Sequence, residues 1–120
     1  MSAWEPTMTP DTALALVSDA RRRVVVDTIL DGSGVTTRQA LVRTVVEEET
    51  GRPIAHADTG RVQDVHISLY HNHLPKLSRY DVIRHDRDTG EVALSDNADA
   101  LGEVLGTLTV SLDAIDDFCE

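Results

Sequence analysis

The chain has 120 residues, with 21 acidic side chains against 11 basic ones and a formal charge of −10. That length suits one domain with a real hydrophobic core, and no apolar run reaches the roughly 18 residues that span a bilayer. The single cysteine, Cys119, excludes an internal disulfide and a cysteine zinc cluster.

The opening "MSAWEPTMTP" lacks the basic and apolar regions of a signal peptide, so the expected location is cytoplasmic, with no membrane partner. Ten of the basic residues are arginine and only Lys76 is lysine. This acid-rich, lysine-poor balance resembles that of proteins from salt-loving archaea, where dense carboxylates keep a protein hydrated. The negative charge argues against a nucleic-acid partner at low salt. In brine the argument weakens, because the screening length falls to about 3 Å at 1 M.

"TPDTALALV" opens with Thr9 as N-cap and Pro10 at the first helical position, which predicts a short helix over roughly 10–17. Ser18 is the expected cap of a second helix running to about Leu30, with Val25, Val26, Ile29 and Leu30 at helical spacing and Arg22 one turn before them. "DGSG" (31–34) stops it. "VTTRQALVRTVVEEE" begins a third helix, in which Thr36 and Gln39 match a capping box and Ala40, Leu41, Thr44 and Val45 form the inner stripe. Residues 50–60 read as a loop from their Gly and Pro content. A fourth helix is expected from about Thr59 to Leu77, with Pro75 bending its last turn.

"VIRHDR" and "EVALS" flank the turn signal "DTG" and predict a β-hairpin. From Asn97 the period is helical again, although "TLTVSL" also alternates like a strand. Ala98, Leu101, Leu105, Leu108, Leu112, Ile115 and Cys119 make a heptad seam. The expected organisation is a domain over 1–96 and a C-terminal dimerisation helix over 97–120. Leu101, Leu105, Leu108, Leu112 and Ile115 would form the dimer interface.

The histidines of "HISLYHNHL" raise a metal hypothesis, which helical geometry disfavours. His66, His71 and His73 are not three or four apart, and His71 and His73 point about 200° apart on a helix. The stripe Val62, Val65, His66, Leu69, Tyr70, His73, Leu77 predicts core positions for His66 and His73, each with a hydrogen-bond partner. The opposite face carries Arg61, Asp64, Ser68 and His71, with Asn72 at its edge. Small polar groups of this kind meet base edges and phosphates, although a plain solvated face has the same composition. No metal or other cofactor is expected.

Three helices followed by a hairpin is the winged helix-turn-helix plan. "HLPKLSRYDVI" (73–83) resembles the end of a recognition helix entering the wing in arsenic-repressor-like regulators, with Asp81 where those proteins usually carry glycine. "RRRVVVDTIL" (21–30) is similar to the opening helix of the same group. Together with "VHISLYHNHLPKL" and "VIRHDRDTGEVAL" these strings resemble a family of short winged-helix domains abundant in haloarchaea. The resemblance covers roughly residues 12–96.

It implies a mainly α fold with a small β-hairpin and a homodimeric, sequence-specific transcriptional regulator of double-stranded DNA. The recognition helix, about 59–77, would enter the major groove. Local charge agrees: residues 59–85 hold Arg61, Lys76, Arg79 and Arg84 against Asp64 and Asp81, a net +2, which leaves −12 for the rest. The candidate DNA contacts are Arg38, Arg43, Arg61, Ser68, His71, Asn72, Lys76, Arg84 and Arg87. Asp86, Asp88 and Glu91 count against deep insertion of the wing. The rival from another class is a winged-helix adaptor that binds a protein and not DNA. An enzyme is not expected, since no nucleophile–base pair, phosphate loop or facing carboxylates stand out. A pH response through His66, His71, His73 and His85 is conceivable from their ordinary pKa near 6.5.

Overall fold

The computed structural model describes residues 9–106. Helix α1 (Pro10–Val17) starts as its sequence dictates: the Thr9 side chain accepts from the Thr12 N–H and Pro10 supplies a fixed φ where no intrahelical donor is needed. Helix α2 (Ala20–Asp31) is capped by Asp19, which accepts from the N–H groups of Arg21 and Arg22. The expected cap, Ser18, instead bonds back to the Ala15 carbonyl at 2.7 Å and closes α1.

Val35–Thr37 forms a strand, β1, where the sequence suggested the start of a helix. Helix α3 (Arg38–Thr50) therefore begins later. Thr37, not Thr36, is its N-cap and accepts from Ala40 N–H at 3.1 Å, so Gln39 is not the partner of a reciprocal box. The buried stripe of α3 is Leu41, Val42, Val45 and Val46, one position off the expected set. Gly51, with φ +68, ends it in the left-handed region. The loop that follows holds one 3-10 turn (Ile54–His56).

The long helix is interrupted. Helix α4 (Thr59–Ser68) passes into a π-helical turn (Leu69–His73) and then α5 (Leu74–Arg79). Pro75 supplies the reason: it lacks an N–H, and its ring crowds the carbonyl four residues back. Widening the preceding turn, with Leu74 N–H reaching Leu69 O, absorbs that conflict without ending the helix. The extra residue changes the buried spacing to Val65, Leu69, His73, Leu74, Leu77. His66, expected inside, is exposed.

Strands β2 (Ile83–His85) and β3 (Glu91–Leu94) form the expected hairpin. With β1 they make a three-stranded antiparallel sheet in the order β1-β3-β2. The fold is mainly helical with this small sheet, the arrangement of a winged helix, in which α2, α3 and the α4–α5 unit surround one core with Val92 and Ile83 beneath the wing. Asp81 adopts φ +58 at the helix-to-wing turn. The chain thus keeps the left-handed turn that glycine usually serves, and fills it with a residue that tolerates it better than most.

Helix resumes over 98–106. Asn97, fully buried, donates from Nδ2 to the Tyr80 carbonyl at 2.8 Å. Leu101 and Leu105 join the same core as α2 and α3. These two were expected to face a second chain and are instead used within the first, because Gly102 lets the segment settle on the Leu30 side chain of α2. Leu108, Leu112, Ile115 and Cys119 lie outside the described residues.

The triplet Arg21-Arg22-Arg23 ties the helices together. Arg22 is buried, with Nε donating to Leu16 O at 2.8 Å and Nη2 to Ala15 O at 3.2 Å, so it satisfies the Leu16 carbonyl at the end of α1 and joins Ser18 on that of Ala15. Arg23 Nη1 donates to Val17 O at 2.7 Å. Arg21 bonds both Glu49 of α3 and Asp64 of α4.

Arg22→Met keeps the length of the side chain and strips its donors from buried carbonyls. It is expected to lower stability by about 1–3 kcal/mol, read as a drop in the urea midpoint. Asp81→Gly relieves a left-handed residue and is expected to raise that midpoint by the equivalent of about 1 kcal/mol.

Candidate nucleic-acid interface

Tyr70, inside the π turn, is the centre of a cationic and aromatic cluster between the α4–α5 unit and the wing. The guanidinium carbon of Arg38 lies 4.7 Å from the centre of its ring and that of Arg87 lies 5.2 Å away. Such contacts hold a cation against the negative face of the ring. His66 stacks nearly parallel to Tyr70 at 6.3 Å, and His71 and His85 meet it edge-on at 5.0 and 6.0 Å.

Backbone geometry brings these groups together. Arg38 is the first residue of α3, and its N–H donates to Gly90 O of the wing at 2.7 Å. Its side chain lies beside Gly90, whose φ of +81 is the left-handed turn that requires a glycine there. Asp86 holds the wing turn, accepting from the N–H groups of Asp88 and Thr89 at 2.9 and 3.2 Å. Those bonds hold its carboxyl below the usual range. His85 pairs with Val92 across the sheet, so it shares the inner face with that buried residue. Arg84, one residue earlier, points to the other face and is exposed.

A pocket of about 300 Å³ opens beside the cluster, lined by Pro75, Ser78, Arg79, His85 and Arg87. Among the described residues, Arg38, Arg79 and Arg87 have no carboxylate within ion-pair distance. Arg61 at the start of α4 and Arg21 of α2 differ. Arg61 Nη1 lies 3.2 Å from Glu49 Oε1, and Asp64 takes Arg21 at 3.1 Å. The Arg21 hydrogen bond, joined by that of Arg61, holds Glu49 below the ordinary carboxylate range against the opposing effect of burial.

Of the expected contacts, Arg38, His71 and Arg87 are brought together, and Lys76 is exposed next to the pocket residue Pro75. Asn72 is exposed in the π turn and Ser68 is half-buried at the end of α4. Arg43 is exposed but lies five residues beyond Arg38, about 140° around α3. Arg61 is drawn into the Glu49 network, and Arg84 faces away from His85.

Tyr70, His66, His85 and Arg79 were not among the candidates. An unbroken α-helical phase puts Tyr70 and His66 in the core, and the signal that could have placed Tyr70 was Pro75 inside a helical pattern. Ile67, 56 % exposed, also escaped notice. It follows Gln63 by four residues and precedes His71 by four, so the three make one outward line.

His73 is buried with Nδ1 3.4 Å from Arg22 Nη1. A guanidinium only donates, so Nδ1 accepts and the ring is neutral. Its Nε2 faces Asp19 Oδ1 at 3.8 Å. Burial pushes the His73 pKa down, and Arg22, Arg21 and Lys76 add to this while Asp19 opposes it. Burial likewise lowers His85, assisted by Arg38 and Arg87 and opposed by Asp86. No group of three or more His, Cys, Asp or Glu among the described residues could hold a metal, and no helix there is long and apolar enough to cross a membrane.

Comparison with known families matches residues 14–93 to one described as a domain of unknown function, DUF7344. No curated protein and no solved structure matches the chain.

The two depressed histidines set a pH dependence of stability. Unfolded, each ring protonates near its ordinary pKa of about 6.5; folded, each resists. Their contribution is therefore intact above about pH 6.5 and is lost as pH falls through the lower folded values. Denaturation midpoints are expected to decline below about pH 6.5, and His73→Gln to make the decline shallower.

Proposed function

We propose that this chain, which belongs to the DUF7344 family, is a DNA-binding regulator that grips the duplex backbone through Arg38, Arg79 and Arg87. The observation that carries the reading is the state of these three arginines. Among the described residues only Arg21 and Arg61 of the ten arginines meet a carboxylate at ion-pair distance. Arg38, Arg79 and Arg87 are distinguished by gathering around His85 and Tyr70, where one anion from outside can meet all three. Guanidinium forks fit phosphate oxygens, and their weak hydration favours contact in concentrated salt.

The element order supports the same reading, since α4–α5 stands where a winged helix presents its recognition helix. The outward line Gln63, Ile67, His71 offers side chains of the right chemistry for base edges. A glutamine can bond adenine N6 and N7, and an isoleucine can meet a thymine methyl. The resemblance to arsenic-repressor-like regulators of haloarchaea points the same way. Self-association through Leu108, Leu112 and Ile115 is supported by heptad spacing alone, and sedimentation at micromolar concentration in high salt decides it.

The test is fluorescence anisotropy with labelled genomic duplexes over a salt series. Arg87→Ala is expected to weaken binding to all sequences alike and to reduce the salt slope by about 1. Arg61→Ala, already engaged with Glu49, is expected to leave affinity nearly unchanged. A wild-type protein that binds no duplex at any salt concentration rejects the reading and turns attention to a protein partner.

A further inference from the structure

The charges around His85 are unbalanced in a way that duplex gripping alone does not require. Arg38 Nη1 lies 3.0 Å from His85 Nε2. Because a guanidinium has donors only, Nε2 must accept, and the ring is neutral with its proton on Nδ1. Arg38 Nε is buried and has no hydrogen-bond partner among the described residues, a costly state for a charged donor. Arg79 and Arg87 line the adjoining pocket with His85. Tyr70 of the π turn faces the ring edge-on, with His66 and His71 against that tyrosine. Among the described residues the carboxylate adjoining the ring is that of Asp86, already committed to the N–H groups of Asp88 and Thr89.

We propose that this cluster is a proton-linked oxyanion site: an entering phosphoryl group is bound by Arg38, Arg79 and Arg87 as His85 takes a proton from solvent. The proton adds to Nε2, and the Arg38–His85 hydrogen bond breaks because both partners are now donors. The two freed donors, which had faced each other, share an anion oxygen. No bond within the anion is made or broken. The empty site keeps His85 neutral through burial and the flanking guanidiniums, and a bound negative charge removes that bias. Duplex backbone and free tetrahedral oxyanion share this chemistry. The inference rests on the DNA reading only for the source of the phosphoryl group, and it makes affinity rise as pH falls.

Binding is measured with the full chain in sodium chloride at about pH 6 and about pH 8, on either side of the ordinary histidine pKa. The probes are a labelled duplex and inorganic sulfate, which keeps its charge across that range. Calorimetry in two buffers of different ionisation enthalpy counts the protons. The expected result is uptake of a proton and tighter binding at the lower pH, at most about tenfold for each pH unit, the limit for one linked proton. His85→Gln keeps an acceptor for Arg38 but cannot be charged, and is expected to lose both the uptake and the pH dependence. Sulfate binding with proton uptake and no duplex binding sustains the inference and rejects the DNA reading. Duplex binding without uptake, or with a pH dependence that His85→Gln retains, overturns the inference and leaves the DNA reading standing. If neither probe binds, both are overturned.

Discussion

A guanidinium inside the core, that of Arg22, holds three parts of the chain in register. It closes the carbonyl end of α1, stands in the first turn of α2, and lies against His73 at the exit of the π turn. A buried charge is tolerable only when its donors are satisfied, so these partners are obligatory. The neighbours in sequence extend the same junction: Arg21 reaches α3 and α4, and Arg23 reaches α1. One turn of α2 thus sets how the other helices approach.

The α4–α5 unit inherits its position from this junction and its outward chemistry from Pro75. Below the π turn, Val65 and Leu69 pack inward; above it, Leu74 and Leu77 do so. Between them Tyr70 and His71 turn toward the wing, where Gly90 O holds the Arg38 N–H and the Asp86 turn presents Arg87. The wing is short, and its acids are partly self-engaged. It works as a buttress for a cationic face more than as a probe of a groove.

Much of the architecture was legible from local signals with a simple physical cause. Thr9-Pro10, Gly51, the "DTG" turn and the apolar periods of α2 and α3 each point to the element that forms. The errors also have physical causes. Val35–Thr37 is too short for its alternation to register, and it becomes a strand only because β3 is there to pair with it. Asp19 outcompetes Ser18 as a cap because a carboxylate accepts two N–H bonds.

The candidate site was half visible. Arg38, His71 and Arg87 follow from fold plan and charge, whereas Tyr70 sits inside the widened turn and His66 stacks on it from the turn before. Arg61 illustrates a limit of reading charge along the chain: whether a surface arginine is free depends on a carboxylate twelve residues earlier that only the folded chain brings near.

The widened turn has a consequence for how this domain can vary. Leu74 stands five residues after Leu69 on the same buried face, where a regular helix would carry the residue four later. Removing one residue between Leu69 and His73 would close the turn to ordinary spacing and leave Leu74 and Leu77 on the apolar interior. Such a deletion would be felt at the turn itself, by changing which side chains meet the hairpin, and would leave the flanking interior as it was.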